Sequence, residues 1–269
     1  FHTRHDNPAA EVVTSVENTG SEAHTLEMLS SFTLGSLSPF SEGLAPESLK
    51  IHRLRSTWSA EGRLVTEAAE DLQLEPSWKC YSANSVRFGS VGSFPVRGFV
   101  PFCAVEDTSH GVTWAAATTQ GSSWQMELYR QDFGLSLSGG VADREFGAWC
   151  KTLAPGACFT APKAVLTAVC SGVDTAAQAL AENTRRAIEP LLPASEKTLP
   201  VLFNEFCSTW GKPTEETVLR HVRALKGKNL GYYVIDAGWY DDFAFEMASR
   251  LGKWELSRKA FPHGLKYVV

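Results

Sequence analysis

The hydrophobic period of this chain changes once, from two residues to between three and four, and that change restricts its possible folds more than any single motif. Up to about residue 172, short apolar alternations are separated by turn-forming clusters, the pattern of an antiparallel sandwich. In SWQMELYRQ, Trp124, Met126 and Leu128 share one face of a strand while Gln125, Glu127 and Tyr129 share the other. Thr14 with Val16, Leu26 with Met28, and AVLTAVC around Leu166 repeat the behaviour. NTG at 18–20, SGG at 138–140 and APG at 154–156 read as turns, with Gly where a positive φ is needed. This face assignment predicts that Trp58, Trp78, Trp114 and Trp124 are buried, because aromatic rings dominate such cores.

From Asp174 onward, Ala177, Leu180, Ala181, Thr184 and Ile188 recur at three and four residues, which predicts a helix. Pro190, Pro193 and Pro200 then bracket the polar stretch PASEKTLP, the composition of a domain boundary. Val201 to Phe203 reads as a short strand. After NEFCSTWGKP, Thr214 can cap a helix whose positive end Glu215 and Glu216 complement and whose apolar stripe is Val218, Leu219, Val222 and Leu225. Gly227 suits a left-handed terminator, and Gly231 to Ile235 is a second, buried type of strand ending at Asp236. The order is β-α-β. The expected division is residues 1–172 as a sandwich, 173–197 as a helical linker and 198–269 as the start of an α/β domain.

Composition removes several classes of function. At 269 residues the chain has the length of about two domains. Its 43% hydrophobic and 20% charged residues exclude a disordered, collagen-like or coiled-coil chain. A net charge of -5 with no run of Lys and Arg lacks the footprint of a nucleic-acid or anionic-membrane partner. No apolar stretch has the length of a membrane span, and FHTRHDNPAA lacks the apolar core of a signal peptide, so the reading is a soluble, cytoplasmic protein. Cys80, Cys103, Cys150, Cys158, Cys170 and Cys207 form no CxxC pair and have no His at ligand spacing. They read as buried thiols, and no metal or cofactor is expected.

Polar groups at the carboxyl ends of parallel strands face a shared crevice, so Asn204, Glu205 and Asp236 are the candidates for ligand contact. Each has a plainer alternative. Asn204 could tie up loop backbone, Glu205 could be a solvated charge, and Asp236 could cap the segment after it. Trp239 offers an apolar plate to the C–H face of a sugar, or simply packs in a core. His221 and His263 lack a paired base or ligand and read as structural, and Cys207 has no identified His partner.

The stretch PVLFNEFCSTWGKPTEE, then GYYVIDAGWY, then GKWELSRKAFPHGLK, resembles the opening strands of the catalytic barrel of glycoside hydrolase family 36, the alpha-galactosidase family. In the amino-terminal half, ENTGSEAHTLEMLSSF, TWSAEGR, GSFPVRGFVPFCAVED, SSWQMELYR, GGVADREFGAW and LAPGACFTAP resemble that family's sandwich domain in order. The resemblance implies an amino-terminal β-supersandwich followed by the first β-α units of a (β/α)8 barrel. The chain is then expected to begin inside the sandwich and to stop inside the barrel. It implies a retaining hydrolase of terminal α-linked galactose in oligosaccharides, without a cofactor, whose nucleophile and acid/base are two Asp residues on later strands beyond Val269. Such enzymes hold those carboxyls about 5–5.5 Å apart. A homo-oligomer is the expected state of the complete enzyme.

What the resemblance places on this chain is substrate recognition. The family's D-D-G-W appears as Asp236, Ala237, Gly238 and Trp239, so the second carboxylate is missing. Its N-x-W-E appears as Asn204, Glu205, Phe206 and Cys207, with Phe for Trp and Cys for Glu. Asp236, Trp239, Asn204, Glu205 and Phe206 are therefore the substrate-binding set. Either a neighbour such as Glu205 substitutes for the lost carboxylate, or the glycone differs from plain galactose. The alternatives are an α-N-acetylgalactosaminidase, a raffinose-type galactosyl transferase, or, for a chain complete as it stands, a noncatalytic carbohydrate-binding module.

Overall fold

A computed structural model describes residues 2–4, 6–40, 47–75, 83–131, 134–240 and 254–269. The chain divides into two compact units, Phe1–Ile188 and Glu189–Val269.

The first unit is built on two antiparallel sheets. One has seven strands in the order β1 (His2–Arg4), β2 (Asn7–Val12), β15 (Ala164–Val169), β10 (Val112–Thr118), β9 (Gly98–Asp107), β6 (Leu49–Ser56) and β7 (Arg63–Ala68). The other has four, in the order β5 (Ser30–Leu37), β12 (Gly134–Val141), β11 (Trp124–Gln131) and β8 (Ala83–Ser90). Two short ribbons pair β13 (Lys151–Leu153) with β4 (His24–Leu26), and β14 (Cys158–Thr160) with β3 (Ser15–Glu17).

Period two decides which residues meet between the sheets. Trp124, Met126 and Leu128 of β11 are fully buried against Leu135 and Leu137, Phe32, Ile51, Cys103 and Val105. The opposite face of the seven-stranded sheet is covered as well. Phe102, Ala104, Ala115 and Val165 pack on Ala176 and Leu180 of α2 (Val173–Ile188), so β9 is buried on both sides at its centre. The helix at the head of the stretch expected to link the domains is thus part of the first unit.

Several expectations change. The buried face of α2 is Ala176, Ala179, Leu180 and Asn183, displaced from the apolar stripe, and Ile188 is exposed. A polar tie sets this rotation: Asn183 donates to Glu11 Oε1 at 3.0 Å and Asn7 donates to the Ala179 carbonyl at 3.0 Å. Trp58 is 94% exposed in the turn between β6 and β7, past the end of the ladder, where no facing sheet reaches it. Trp114 is half-buried, Trp124 is fully buried, and Trp78 lies outside the described residues. SGG at 138–140 is no turn but lies within β12, where a Cβ on Gly139 would stand 2.9 Å from Met126 Cγ. Of the thiols, Cys103 alone is buried among those described, and burial pushes its pKa up to about 12; Cys150, Cys158, Cys170 and Cys207 are exposed, and Cys80 lies outside the described residues.

Between β12 and β13 lies the short helix α1 (Arg144–Gly147). The second unit opens with 3-10 turns at Glu189–Leu191 and Ala194–Glu196. It then runs through β16 (Leu202–Asn204), α3 (Phe206–Thr209), α4 (Glu215–Leu225) and β17 (Tyr232–Val234). The strands β16 and β17 pair in parallel, with Asn204 opposite Val234. Thr214 caps α4 by accepting from Thr217 N–H, and Gly227 takes a left-handed φ of 79° after it, as the residue types dictate.

Candidate functional site

The parallel pairing of β16 and β17 brings their carboxyl ends together, and the candidate residues sit there. Asn204 ends β16, and Asp236 follows β17 by two residues. Asn204 Nδ2 donates to Asp236 Oδ2 at 2.6 Å, bridging the two strand ends. The Asn204 amide oxygen, Oδ1, accepts the Phe206 N–H at 2.9 Å, so the side chain is held from both ends. Asp236 Oδ1 accepts the N–H of Ala237 at 2.6 Å. Ala237, the residue after Asp236, therefore supplies a backbone donor.

Glu205 is fully buried. Its Oε1 accepts the Asp236 N–H at 3.0 Å and its Oε2 accepts the Thr209 hydroxyl, while its own N–H donates to the Val234 carbonyl at 3.2 Å. A carboxylate taken up on both oxygens and shielded from solvent is not a solvated charge. Its chemistry is exerted on the backbone that carries Asp236. Tyr233, half-buried in β17, has its phenol pushed up to about 12 by burial and then by the charge of Glu205. His221 Nδ1 lies 3.0 Å from the Tyr233 hydroxyl, a structural contact from α4 to β17.

Gly238 closes the loop after β17 against the loop after β16. Its φ is 99°, and a Cβ there would stand 2.0 Å from the Gly211 carbonyl oxygen, so only glycine fits. Trp239 follows, half-buried, stacked on Trp254 at 6.1 Å and 22° and set edge-on to Tyr240 at 5.2 Å. Trp254 is exposed. Phe206 is half-buried, with its ring 6.3 Å from that of the exposed Trp210.

Asn204, Glu205 and Asp236 thus form one hydrogen-bonded group. Among the described residues no hydrogen bond or ring contact connects the Phe206 or Trp239 side chains to that group. Thr209 and Trp254 were not among the expected site residues. The i, i+4 spacing of Glu205 and Thr209 on a helical turn was the available signal for the first, and GKWEL, close after the strand, for the second. Among the described residues no three His, Cys, Asp or Glu gather as metal ligands. No described helix is long and apolar enough to cross a membrane.

No protein-family model matches the chain. Among curated proteins it is 23% identical over 240 residues to alpha-galactosidase 2 of Hypocrea jecorina, a match covering 87% of this chain and 30% of that protein. It is 26% identical over 174 residues to alpha-galactosidase Mel36A of Lactobacillus acidophilus, covering 63% of this chain and 23% of that one. The GH36 alpha-galactosidase AgaA of Geobacillus stearothermophilus superimposes with a TM-score of 0.73 at 17% identity, over 98% of this chain and 34% of AgaA. The chain is similar to alpha-galactosidases in sequence and shares the fold of GH36 structures. The galactosidase domain of the alpha-galactosidase-sucrose kinase AgaSK matches equally well, with a TM-score of 0.73 at 16% identity over 98% of this chain. The matching region is a GH36-like amino-terminal segment, and the chain spans about a third or less of the length of these relatives. Its two antiparallel sheets correspond to the β-sandwich of the GH36 fold.

Proposed function

We propose that residues 198–269 open a (β/α)8 catalytic barrel, that residues 1–172 are its amino-terminal β-supersandwich, and that the whole protein is a retaining glycosidase of terminal α-galactose. In this reading Asp236 accepts hydrogen bonds from the galactose hydroxyls. The observation that carries it is the 2.6 Å bond from Asn204 to Asp236 across the carboxyl ends of adjacent parallel strands, the side of a barrel where substrates bind. Asn204 fixes one carboxylate oxygen, the Ala237 N–H fixes the other, and each oxygen keeps a lone pair for a sugar hydroxyl. Glu205 holds the backbone of Asp236, and Trp239 with Trp254 offers an apolar plate for the C–H face of the sugar. Two Asp residues on later strands do the chemistry. One attacks the anomeric carbon, and the other protonates the departing oxygen and then activates water.

Replacing Asp236 by Asn keeps shape and removes charge. In the protein carrying the complete barrel, Asp236→Asn should weaken galactoside binding by about 1.5–3 kcal/mol while stability changes little. Normal binding and hydrolysis by this variant would return Asp236 to a local role on Ala237. Ala237 favours a second reading, an α-N-acetylgalactosaminidase, since it removes a carboxylate from the glycone pocket. Turnover of nitrophenyl glycosides with and without the 2-acetamido group separates the two.

A further inference from the structure

We propose that the first unit carries a saccharide-binding groove of its own, floored by Trp149 and Phe159 and walled by Gln120, Ser122 and Ser123. The inference does not rest on the function proposed for the second unit. The groove encloses about 570 Å³, within the range of small-molecule sites. Its floor is two aromatic rings, 5.4 Å apart and tilted by 44°, both half-buried and so open on one side.

The backbone sets those rings in place. Asp143 caps α1 by accepting the Phe146 N–H, Ala148 ends it in the left-handed region with φ 53°, and the Trp149 N–H returns to the Asp143 carbonyl at 3.2 Å. Phe159 sits mid-strand in β14, opposite Val16.

The polar wall is equally arranged. Gln120 Nε2 donates to Ser122 Oγ at 2.6 Å and to the Ser123 carbonyl at 3.2 Å, which turns its Oε1 away as an acceptor. Ser122 Oγ accepts from Gln120, and Ser123 Oγ accepts the Gly92 N–H at 2.8 Å. Each serine therefore keeps its proton to donate. Two hydroxyl donors and one amide acceptor beside an apolar floor match a sugar, which presents hydroxyls on its rim and C–H bonds on its face. Among the described residues no Asp, Glu, Lys, Arg or His lines the groove, which selects a neutral ligand over a phosphorylated or acidic one.

Cys150 lines the groove and is exposed; Cys158 is exposed but does not line it. Alkylation of the 269-residue chain by N-ethylmaleimide, mapped by peptide mass spectrometry, therefore reports occupancy at one site with an internal reference. Raffinose should slow modification of Cys150 saturably, by about fourfold at three times its half-saturating concentration, and leave Cys158 unchanged. Trp149→Ala and Gln120→Ala should each abolish the protection, the second without disturbing the floor, while Asp236→Asn should retain it. The proposal fails if raffinose up to about 50 mM gives no saturable slowing, since weaker binding is no site. It fails equally if glycerol at matched viscosity protects as well, if protection survives in both groove variants, or if it disappears in Asp236→Asn.

Discussion

At the scale of single residues, buried carboxylates organise both units. Glu205 is the acceptor for the Asp236 N–H and the Thr209 hydroxyl, so Glu205→Ala leaves two donors without their partner and should cost about 1–3 kcal/mol. Glu205→Gln retains one acceptor and should cost less. Urea denaturation of the two variants side by side reads this difference, and equal losses would show that packing volume, not hydrogen bonding, is what Glu205 supplies. In the first unit, Asp143 is poorly solvated, which alone would raise its pKa. The Phe146 N–H at 2.7 Å, the Gln125 amide at 3.0 Å and the charge of Arg87 outweigh burial and hold it below its ordinary value. A depressed folded value means that this stabilisation is complete above about pH 4 and fades as pH falls through the folded pKa. Asp143→Asn should therefore lower the thermal midpoint at pH 7 and flatten its decline below about pH 4. Some slope should persist from Asp107, whose carboxyl is also held low, against its burial, by Ser38 and His110.

At the scale of elements, one helix and one strand face carry the first unit. Leu180 points from α2 into the cluster with Phe102 and Val165, while Ile188 at the end of the same helix is exposed. Leu180→Ala should cost about 2–5 kcal/mol, whereas Ile188→Ala should stay within about 0.5 kcal/mol. Comparable losses at the two positions would instead mean that the sequence stripe, which contains both, sets the helix rotation rather than the Asn183 tie to Glu11. Trp124 is fully enclosed between the sheets, and Trp124→Ala should cost about 3–5 kcal/mol by chemical denaturation. A change below about 1 kcal/mol would contradict its assignment to the inner face.

For the whole molecule, the decisive feature is that the described part of the second unit holds one parallel strand pair, where a (β/α)8 barrel closes eight strands. The expected outcome is that the 269-residue chain does not turn over a nitrophenyl α-galactoside. In the function proposed above, the carboxylate pair at the retaining separation and the closed wall that orients the sugar belong to the later strands of the barrel. Turnover matching that of the protein with a complete barrel would mean that a carboxylate pair within residues 1–269 does the chemistry.

What was legible in the sequence is what backbone periodicity encodes. Alternation placed Trp124, Met126 and Leu128 together, the three-to-four repeat announced α2, and Thr214 with Gly227 marked the limits of α4. The carboxyl-end rule nominated Asn204, Glu205 and Asp236, which the structure joins by hydrogen bonds. These follow because a strand or helix repeats along its own axis, whatever it later packs against. Contacts between elements carry no such period, and they were decided by the tertiary structure alone. Asn183 entered the buried face of α2 because Glu11 on a distant strand accepts from it. Trp58 is exposed because its ladder ends beneath a turn, and Gly139 stays within a strand because Met126 occupies the space a side chain would need. Glu205 reads in the sequence as a ligand contact or a solvated charge, and the fold instead buries it and makes its carboxylate the acceptor for the Asp236 N–H and the Thr209 hydroxyl.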